Sequence, residues 1–83
     1  MSEVDALAAR AVECANDVLQ GTRTPYEGAQ ELWRLSRDLD QLADAIRPFV
    51  TLASEWEDDP ANRIEYEADI RIEAERLRRR LSA

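Results

Sequence analysis

The chain has 83 residues, with 11 basic and 18 acidic side chains, a formal net charge of −7 at pH 7 and no histidine. A chain of this length forms one thin-cored domain, so we expect a single helical domain over residues 1–83 without a deep substrate cavity. The negative charge disfavours binding to phosphate backbones, and the absence of histidine excludes Ser-His-Asp and Cys-His catalytic arrangements.

The first predicted helix begins at Ser2, which forms a capping-box pattern with Asp5. Gly21 fits the left-handed residue that ends a helix. Cys14 lies at the edge of the apolar stripe, where we interpret it as a small, unreactive core residue. The stripe follows i, i+3, i+4 spacing and consists of Val4, Leu7, Ala8, Ala11, Ala15, Val18 and Leu19.

The second predicted helix opens with "TPYEGAQELW". Thr24 fits an N-cap, Pro25 the first helical position and Glu27 the third position of a capping box. Gly28 is unfavourable inside a helix, which suggests a close approach of another helix at that point. One face of this helix is predicted to hold Tyr26, Ala29, Leu32 and Trp33.

A seven-residue rhythm follows, with apolar gaps that alternate between three and four residues. Its members are Leu32, Leu35, Leu39, Leu42, Ile46, Phe49, Ala53 and Trp56. Pro48 removes an amide donor and argues against one straight helix, while Asp38 offers a new start signal. We therefore expect short helices near 25–36, 38–46 and 48–57; one long helix kinked near residue 47 is the alternative. The stripe is either core or the seam of a dimer.

The last segment, "RIEYEADIRIEAERLRRRL", alternates polar and apolar residues as a strand would. Its length, its Glu67–Arg71 and Glu75–Arg79 spacings and the preceding "DDPAN" favour a helix. This helix has two apolar edges, so it packs between neighbours or offers its second side to a partner. The edges are Tyr66, Ile70, Leu77 and Leu81 on one side, and Ala61, Ile64, Ala68 and Ile72 on the other.

Four acids crowd the stretch "LASEWEDDPANR". Asp59 is explained as the cap before Pro60, whereas Glu55 and Glu57 oppose the dipole of their own helix and have no evident structural use. Trp56 is expected to face the core. The sequence therefore predicts a docking surface for a basic protein at this helix end; a solvated acidic end is the alternative. The predicted partner-binding residues are Glu55, Glu57, Asp58 and Tyr66.

One enzymatic alternative is a magnesium-dependent all-α nucleotide pyrophosphatase, a class that uses Glu-x-x-Glu and Glu-x-x-Asp motifs. Glu55 and Asp58 match the second motif, but Glu27 and Glu31 are four residues apart and do not match the first. We therefore expect no catalytic residues, no metal site and no cofactor.

The segments "GTRTPYEGAQELW" and "FVTLASEWEDDPANR" resemble small acidic helical proteins of unknown function from GC-rich bacteria, over about residues 21–77. The glycine turn, the aromatic-bearing helix and the acidic helix end are also similar to bacterial toxin-immunity proteins of the colicin D immunity kind. The second resemblance implies a tight inhibitor of a basic toxin, often a nuclease.

Together these patterns predict an all-α fold, a small bundle of four to five helices with short loops. The expected function is a non-enzymatic protein-interaction module, in its most specific form an immunity or antitoxin-like protein. A self-associating accessory protein, including a homodimer, is an alternative. No apolar stretch reaches the length of a membrane span and the N-terminus lacks a basic signal region, so we expect a soluble, cytoplasmic protein.

Overall fold

A computed structural model describes the backbone of residues 3–38 and 42–82, and the side chains of residues 5–38 and 42–81. This part of the chain is helical and contains no strand, which confirms the predicted all-α class with four helices. None of these helices is long and apolar enough to cross a membrane. The elements are α1 Glu3–Gln20, α2 Pro25–Asp38, α3 Ala43–Asp58, a 3₁₀ turn at Pro60–Asn62, and α4 Arg63–Ser82.

Consecutive helices run antiparallel. Val18, near the end of α1, meets Gly28 near the start of α2. Tyr26, in the first turn of α2, stacks on Trp56 in the last turn of α3. The fourth helix packs against both α1 and α3 and thereby closes a four-membered bundle.

The core is built from aliphatic side chains, with Phe49 as its largest member. The described members of the seven-residue stripe from Leu32 to Phe49 are buried within this one chain, so they are core residues and not a dimer seam. Leu39 lies outside the described residues. The buried set comprises Leu7, Ala11, Cys14, Ala15, Val18, Ala29, Leu32, Leu35, Leu42, Ile46, Phe49, Ile70, Ala74 and Leu77.

Helix boundaries in the middle of the chain differ from those predicted. Asp38 ends α2 and does not start a helix, and Pro48 lies inside α3. The three short helices and the single kinked helix are both wrong for this region. Pro48 is tolerated because it falls near the start of α3. It has no N–H group, so the helix loses one backbone hydrogen bond, the one to the carbonyl of Asp44. Burial of Ile46 and Phe49 on either side of it favours the continuous helix.

Local signals at the first loop are confirmed. Gly21 adopts a left-handed conformation with φ of 84°. The Glu27 amide donates to the Thr24 hydroxyl at 3.2 Å, and that hydroxyl donates to the Glu27 carboxylate at 3.0 Å. The predicted box at the start of α1 depends on Ser2, which lies outside the described residues.

Some predicted apolar faces are open to solvent. Trp33 is 46% exposed instead of sharing the buried face of α2, and the guanidinium of Arg37 lies 5.1 Å from its ring centroid. On α4, Ile70 and Leu77 are buried on the inner edge, whereas the second edge is open. That outer edge consists of the exposed residues Ala61, Ile64, Ala68 and Ile72.

A substitution at Gly28 tests the close approach of α1 and α2. A Cβ atom at this position would overlap the Cγ2 atom of Val18, a buried β-branched residue with little rotamer freedom. We expect Gly28→Ala to lower the free energy of unfolding by about 1–3 kcal/mol, although alanine is the better helix former. The free energy is measured by urea unfolding. In a Val18→Ala background the same change should lose most of its cost, and a stabilised Gly28→Ala single variant would contradict the close approach.

Cys14 is predicted to be unreactive in the folded protein. Its side chain is buried and its Sγ atom donates to the Gly28 carbonyl at 3.4 Å. Burial raises the pKa of the Cys14 thiol to about 11, which leaves little thiolate at neutral pH. A thiol reagent should therefore label the native protein slowly and the urea-unfolded protein rapidly. Rapid stoichiometric labelling of the native state at pH 7 would refute this assignment.

Candidate partner-binding surface

The acidic stretch lies where α3 ends and α4 begins. The Asp59 amide donates to the Glu55 carbonyl at 2.8 Å and closes the last turn of α3. Pro60 then starts the 3₁₀ turn, a position where its missing amide hydrogen is not needed. This short connection brings the carboxylates of the α3 end beside the first turns of α4.

Trp56 contacts side chains of α2 and α4 at this end of the bundle, and it lies at the edge of the bundle and not in the core. Its ring stacks on Tyr26 with centroids 4.1 Å apart and an angle of 19° between the planes. The Arg63 guanidinium lies 3.9 Å from the Trp56 ring centroid, and its Nε donates to the Trp56 carbonyl at 2.9 Å. The indole N–H donates to Glu67 at 3.1 Å. The expectation that Trp56 faces the core is therefore wrong, because it is half-buried between side chains of α2 and α4.

Glu57 has a structural role that the sequence did not reveal. The Tyr26 hydroxyl donates to its carboxylate and accepts a hydrogen bond of 2.9 Å from Gln30. The hydrogen bond to Glu57 is the main reason that the pKa of Tyr26 is raised. Glu57 thus connects the end of α3 to α2, and the interpretation that it has no local use is wrong.

Tyr66 is also tied to its surroundings. The hydroxyl of this half-buried residue donates to Asp59 at 2.9 Å, and Asn62 donates to the same carboxylate oxygen at 2.8 Å. These bonds, from Asn62 first and Tyr66 second, lower the pKa of Asp59. The bond to Asp59 raises the pKa of Tyr66 to about 12, with smaller contributions from the negative charges of Glu55 and Glu65. Three carboxylates, those of Asp59, Glu55 and Glu65, therefore act on the Tyr66 hydroxyl.

Glu55 and Asp58 are the acids in the last turn of α3 that the fold does not use. Both are exposed, and within the described part of the chain neither carboxylate forms an ion pair or a hydrogen bond. The nearest cation in sequence, Arg63, is directed to Trp56. We call the carboxylates clustered where α3 ends and α4 begins the acidic end; its members are Glu55, Glu57, Asp58, Asp59 and Glu65.

All four predicted partner-binding residues lie at one end of the bundle, whereas the sequence analysis missed the residues that hold this end together. Tyr26, Arg63 and Glu67 come from α2 and α4 and meet Trp56 through non-local contacts. The predicted pair Glu67–Arg71 is replaced by the bond from Trp56, whereas Glu75–Arg79 forms at 3.0 Å. The one available signal was Thr24, whose capping role places Tyr26 at the start of α2.

The described residues hold no cluster of side chains with metal-ligand geometry. No three His, Cys, Asp or Glu side chains in that part of the chain converge to hold a metal ion. Glu55 and Asp58, the pair that matches a Glu-x-x-Asp motif, belong to the acidic end described above.

The fold and this surface together define an all-α domain of four helices with an acidic end. Comparison with known protein families, with curated protein sequences and with solved structures finds no match to this chain.

The hydrogen bond from Tyr66 to Asp59 is expected to affect stability at alkaline pH. A pKa raised in the folded state adds stability that is fully present below the ordinary value of 10.0 and is lost as the pH rises through about 12. In a Tyr26→Phe background, where Tyr66 is the remaining tyrosine, Asp59→Asn should lower the Tyr66 pKa towards its ordinary value. Tyrosinate absorbance measures this shift.

Asp58→Asn in the same background is the matched control. Asp58 neighbours Asp59 in sequence but forms no hydrogen bond to Tyr66. It should leave the Tyr66 titration nearly unchanged. Equal shifts in the two variants would show that general negative charge, and not the hydrogen bond, sets the Tyr66 pKa.

Proposed function

We propose that this protein is a non-enzymatic helical interaction module that binds a basic protein partner through its acidic end. The observation that carries the proposal is the pair Glu55 and Asp58, which are exposed and unpaired within the described residues although they stand at an unfavourable helix terminus. No cation in the described part of the chain pairs with them, so their charge is available to a partner.

The surroundings of these two acids support the same function. The contacts of Trp56 with Tyr26, Arg63 and Glu67 fix α2, α3 and α4 relative to one another at this end. A surface that is rigid before binding loses little conformational entropy on association. The clustered negative charge also attracts a cationic partner over about 8 Å at physiological salt, which speeds the encounter.

An immunity or antitoxin-like role is the most specific form of this proposal. In that form the partner is a basic toxin, and the acidic end covers a cationic active site. The net charge of −7 supports it. A stoichiometric amount of this protein is then expected to abolish the activity of the captured partner.

The proposal predicts the effect of removing the two free charges. Glu55→Gln together with Asp58→Asn should leave the thermal midpoint unchanged or slightly raised, since the conflict with the α3 dipole is relieved. The same change should strongly reduce capture of a basic protein from source lysate by the immobilised chain, as measured by mass spectrometry. Added salt should weaken wild-type capture because charge drives the encounter.

Glu13→Gln with Asp38→Asn is the charge-matched control, because both residues are exposed and lie outside the acidic end. This control variant should keep the partner. If the Glu55 and Asp58 variant retains every wild-type partner at low salt, the acidic end is not the binding surface.

A further inference from the structure

The outer side of α4 carries an apolar stripe that the bundle does not use. Ile64 is 83% exposed and Ile72 is 52% exposed, the two highest values among the large hydrophobic residues described. Exposed Ala68 lies between them at i, i+4 spacing, so the three residues form one line along about two helical turns. Isolated exposed hydrophobic residues are ordinary, but an aligned set marks a surface that can be covered.

Ile72, at one end of this stripe, lines a groove between α3 and α4. The groove has a volume of about 610 Å³ and places Ile72 beside Pro48 and Leu52. Leu52 is partly buried and packs against the hydrophobic core. The groove therefore offers an apolar floor next to the apolar line on α4.

The unpaired charge along the groove is negative. Its two arginines are already neutralised: Arg47 pairs with Asp44 at 2.9 Å, and Arg76 pairs with Glu73 at 2.9 Å. Asp69, which also lines the groove, has no cationic partner among the described residues.

Glu65 lies one turn before Asp69 on the same flank of the stripe and is likewise exposed without a cationic partner in the described chain. Arg71 is exposed on the opposite flank, by its helical position. The flank towards α3 therefore carries two carboxylates without a cationic partner. The opposite flank carries Arg71 and, one turn earlier, Glu67, whose carboxylate accepts a hydrogen bond from the Trp56 indole.

We propose that this surface, named here the α4 groove and formed by the Ile64–Ala68–Ile72 line with Glu65 and Asp69, binds a basic amphipathic helix of a partner protein. Apolar residues at i, i+4 spacing on the partner helix cover the isoleucines, as in other helix-in-groove complexes. Lysine or arginine on one side of that helix meets Glu65 and Asp69, which fixes the orientation of binding.

A second copy of this chain fits the surface less well. It brings a further net charge of −7, and it presents its own Glu65 and Asp69 along the same stripe. A basic helix instead supplies the missing sign of charge. The α4 groove shares Glu65 with the acidic end but contains neither Glu55 nor Asp58. Variants at Glu55 and Asp58 and variants at Ile64 and Ile72 therefore test the proposed function and this inference separately.

A synthetic leucine–lysine peptide tests the inference. The probe is a helix of about 18 residues with leucine at i, i+3, i+4 spacing and lysine elsewhere, long enough to be helical when bound. Titration calorimetry should give one saturable site. Backbone amide shifts should concentrate in residues 64–76 and 44–52. A peptide with the same residues in scrambled order should bind much more weakly.

Two paired variants separate apolar docking from general attraction. Ile64→Gln with Ile72→Gln should weaken peptide binding by about tenfold or more, because two apolar contacts are lost. Leu19→Gln with Trp33→Gln removes exposed apolar surface elsewhere and should leave the affinity unchanged. All four altered side chains are at least one-third exposed in the wild type, and circular dichroism and the thermal midpoint of each variant check that it is folded at the temperature of the titration.

Charge variants test the orientation. Glu65→Gln with Asp69→Asn should weaken peptide binding and reduce its salt dependence, whereas Arg71→Gln should leave binding unchanged or strengthen it. Glu55→Gln with Asp58→Asn should lower peptide affinity less than the Glu65 and Asp69 pair does, although it should abolish capture through the acidic end.

Several outcomes overturn the inference. They are equal binding of the scrambled peptide, an equal loss in the Leu19 and Trp33 variant, or amide shifts scattered over the whole acidic surface. Concentration-dependent dimerisation in sedimentation that the Ile64 and Ile72 variant abolishes would assign the stripe to a second copy instead. If the Glu55 and Asp58 variant loses its native partner while the isoleucine variant binds the peptide normally, the proposed function stands and the α4 groove fails.

Discussion

The close approach of α1 to α2 at Gly28 is the constraint on which the rest of this structure depends. Val18 occupies the space that a side chain at Gly28 would need, and fully buried alanines on α1, α2 and α4 continue the same small-residue packing. Small residues allow helices to lie close together and bury their backbones with little side-chain volume. An 83-residue chain has a small core in any case, so this packing leaves room for one aromatic ring, that of Phe49.

The position of Trp56 is consistent with that constraint. A thin core has no space for another large ring, and a buried indole also needs a partner for its N–H group. On the surface, Tyr26 and Arg63 contact its ring while Glu67 accepts its hydrogen bond. These contacts engage the one cation close to the acidic stretch. The negative charge of Glu55 and Asp58 therefore remains unpaired because Arg63 contacts Trp56.

The parts of the fold that depend on neighbouring residues in sequence were predictable. Gly21 has the left-handed conformation of a helix end, Thr24 caps α2, and Gly28 lies where a side chain would overlap Val18. The "DDPAN" stretch marks the connection before α4. The α4 segment was assigned correctly because its Glu–Arg spacing and length outweigh its strand-like alternation.

Predictions failed where distant contacts decide the outcome. Pro48 carries a strong local signal for a helix break, yet the packing of Ile46 and Phe49 on either side favours one helix. Glu57 has no local partner, and its bond comes from Tyr26, 31 residues away in sequence. The candidate site was located from its charge pattern, but the network that fixes its shape required the tertiary structure.

The two edges of α4 show why stability alone is an incomplete account of this chain. The inner edge, with Ile70 and Leu77, suffices to close the bundle. The outer line from Ile64 to Ile72 stays in water, where its apolar area contributes nothing to folding. Glu65 lies beside that line and is also close enough to raise the pKa of Tyr66 in the acidic end. Glu65 is therefore the carboxylate at which the acidic end and the outer line of α4 meet, so its charge acts on both proposed binding surfaces, whereas Glu55, Asp58 and the isoleucines each belong to one.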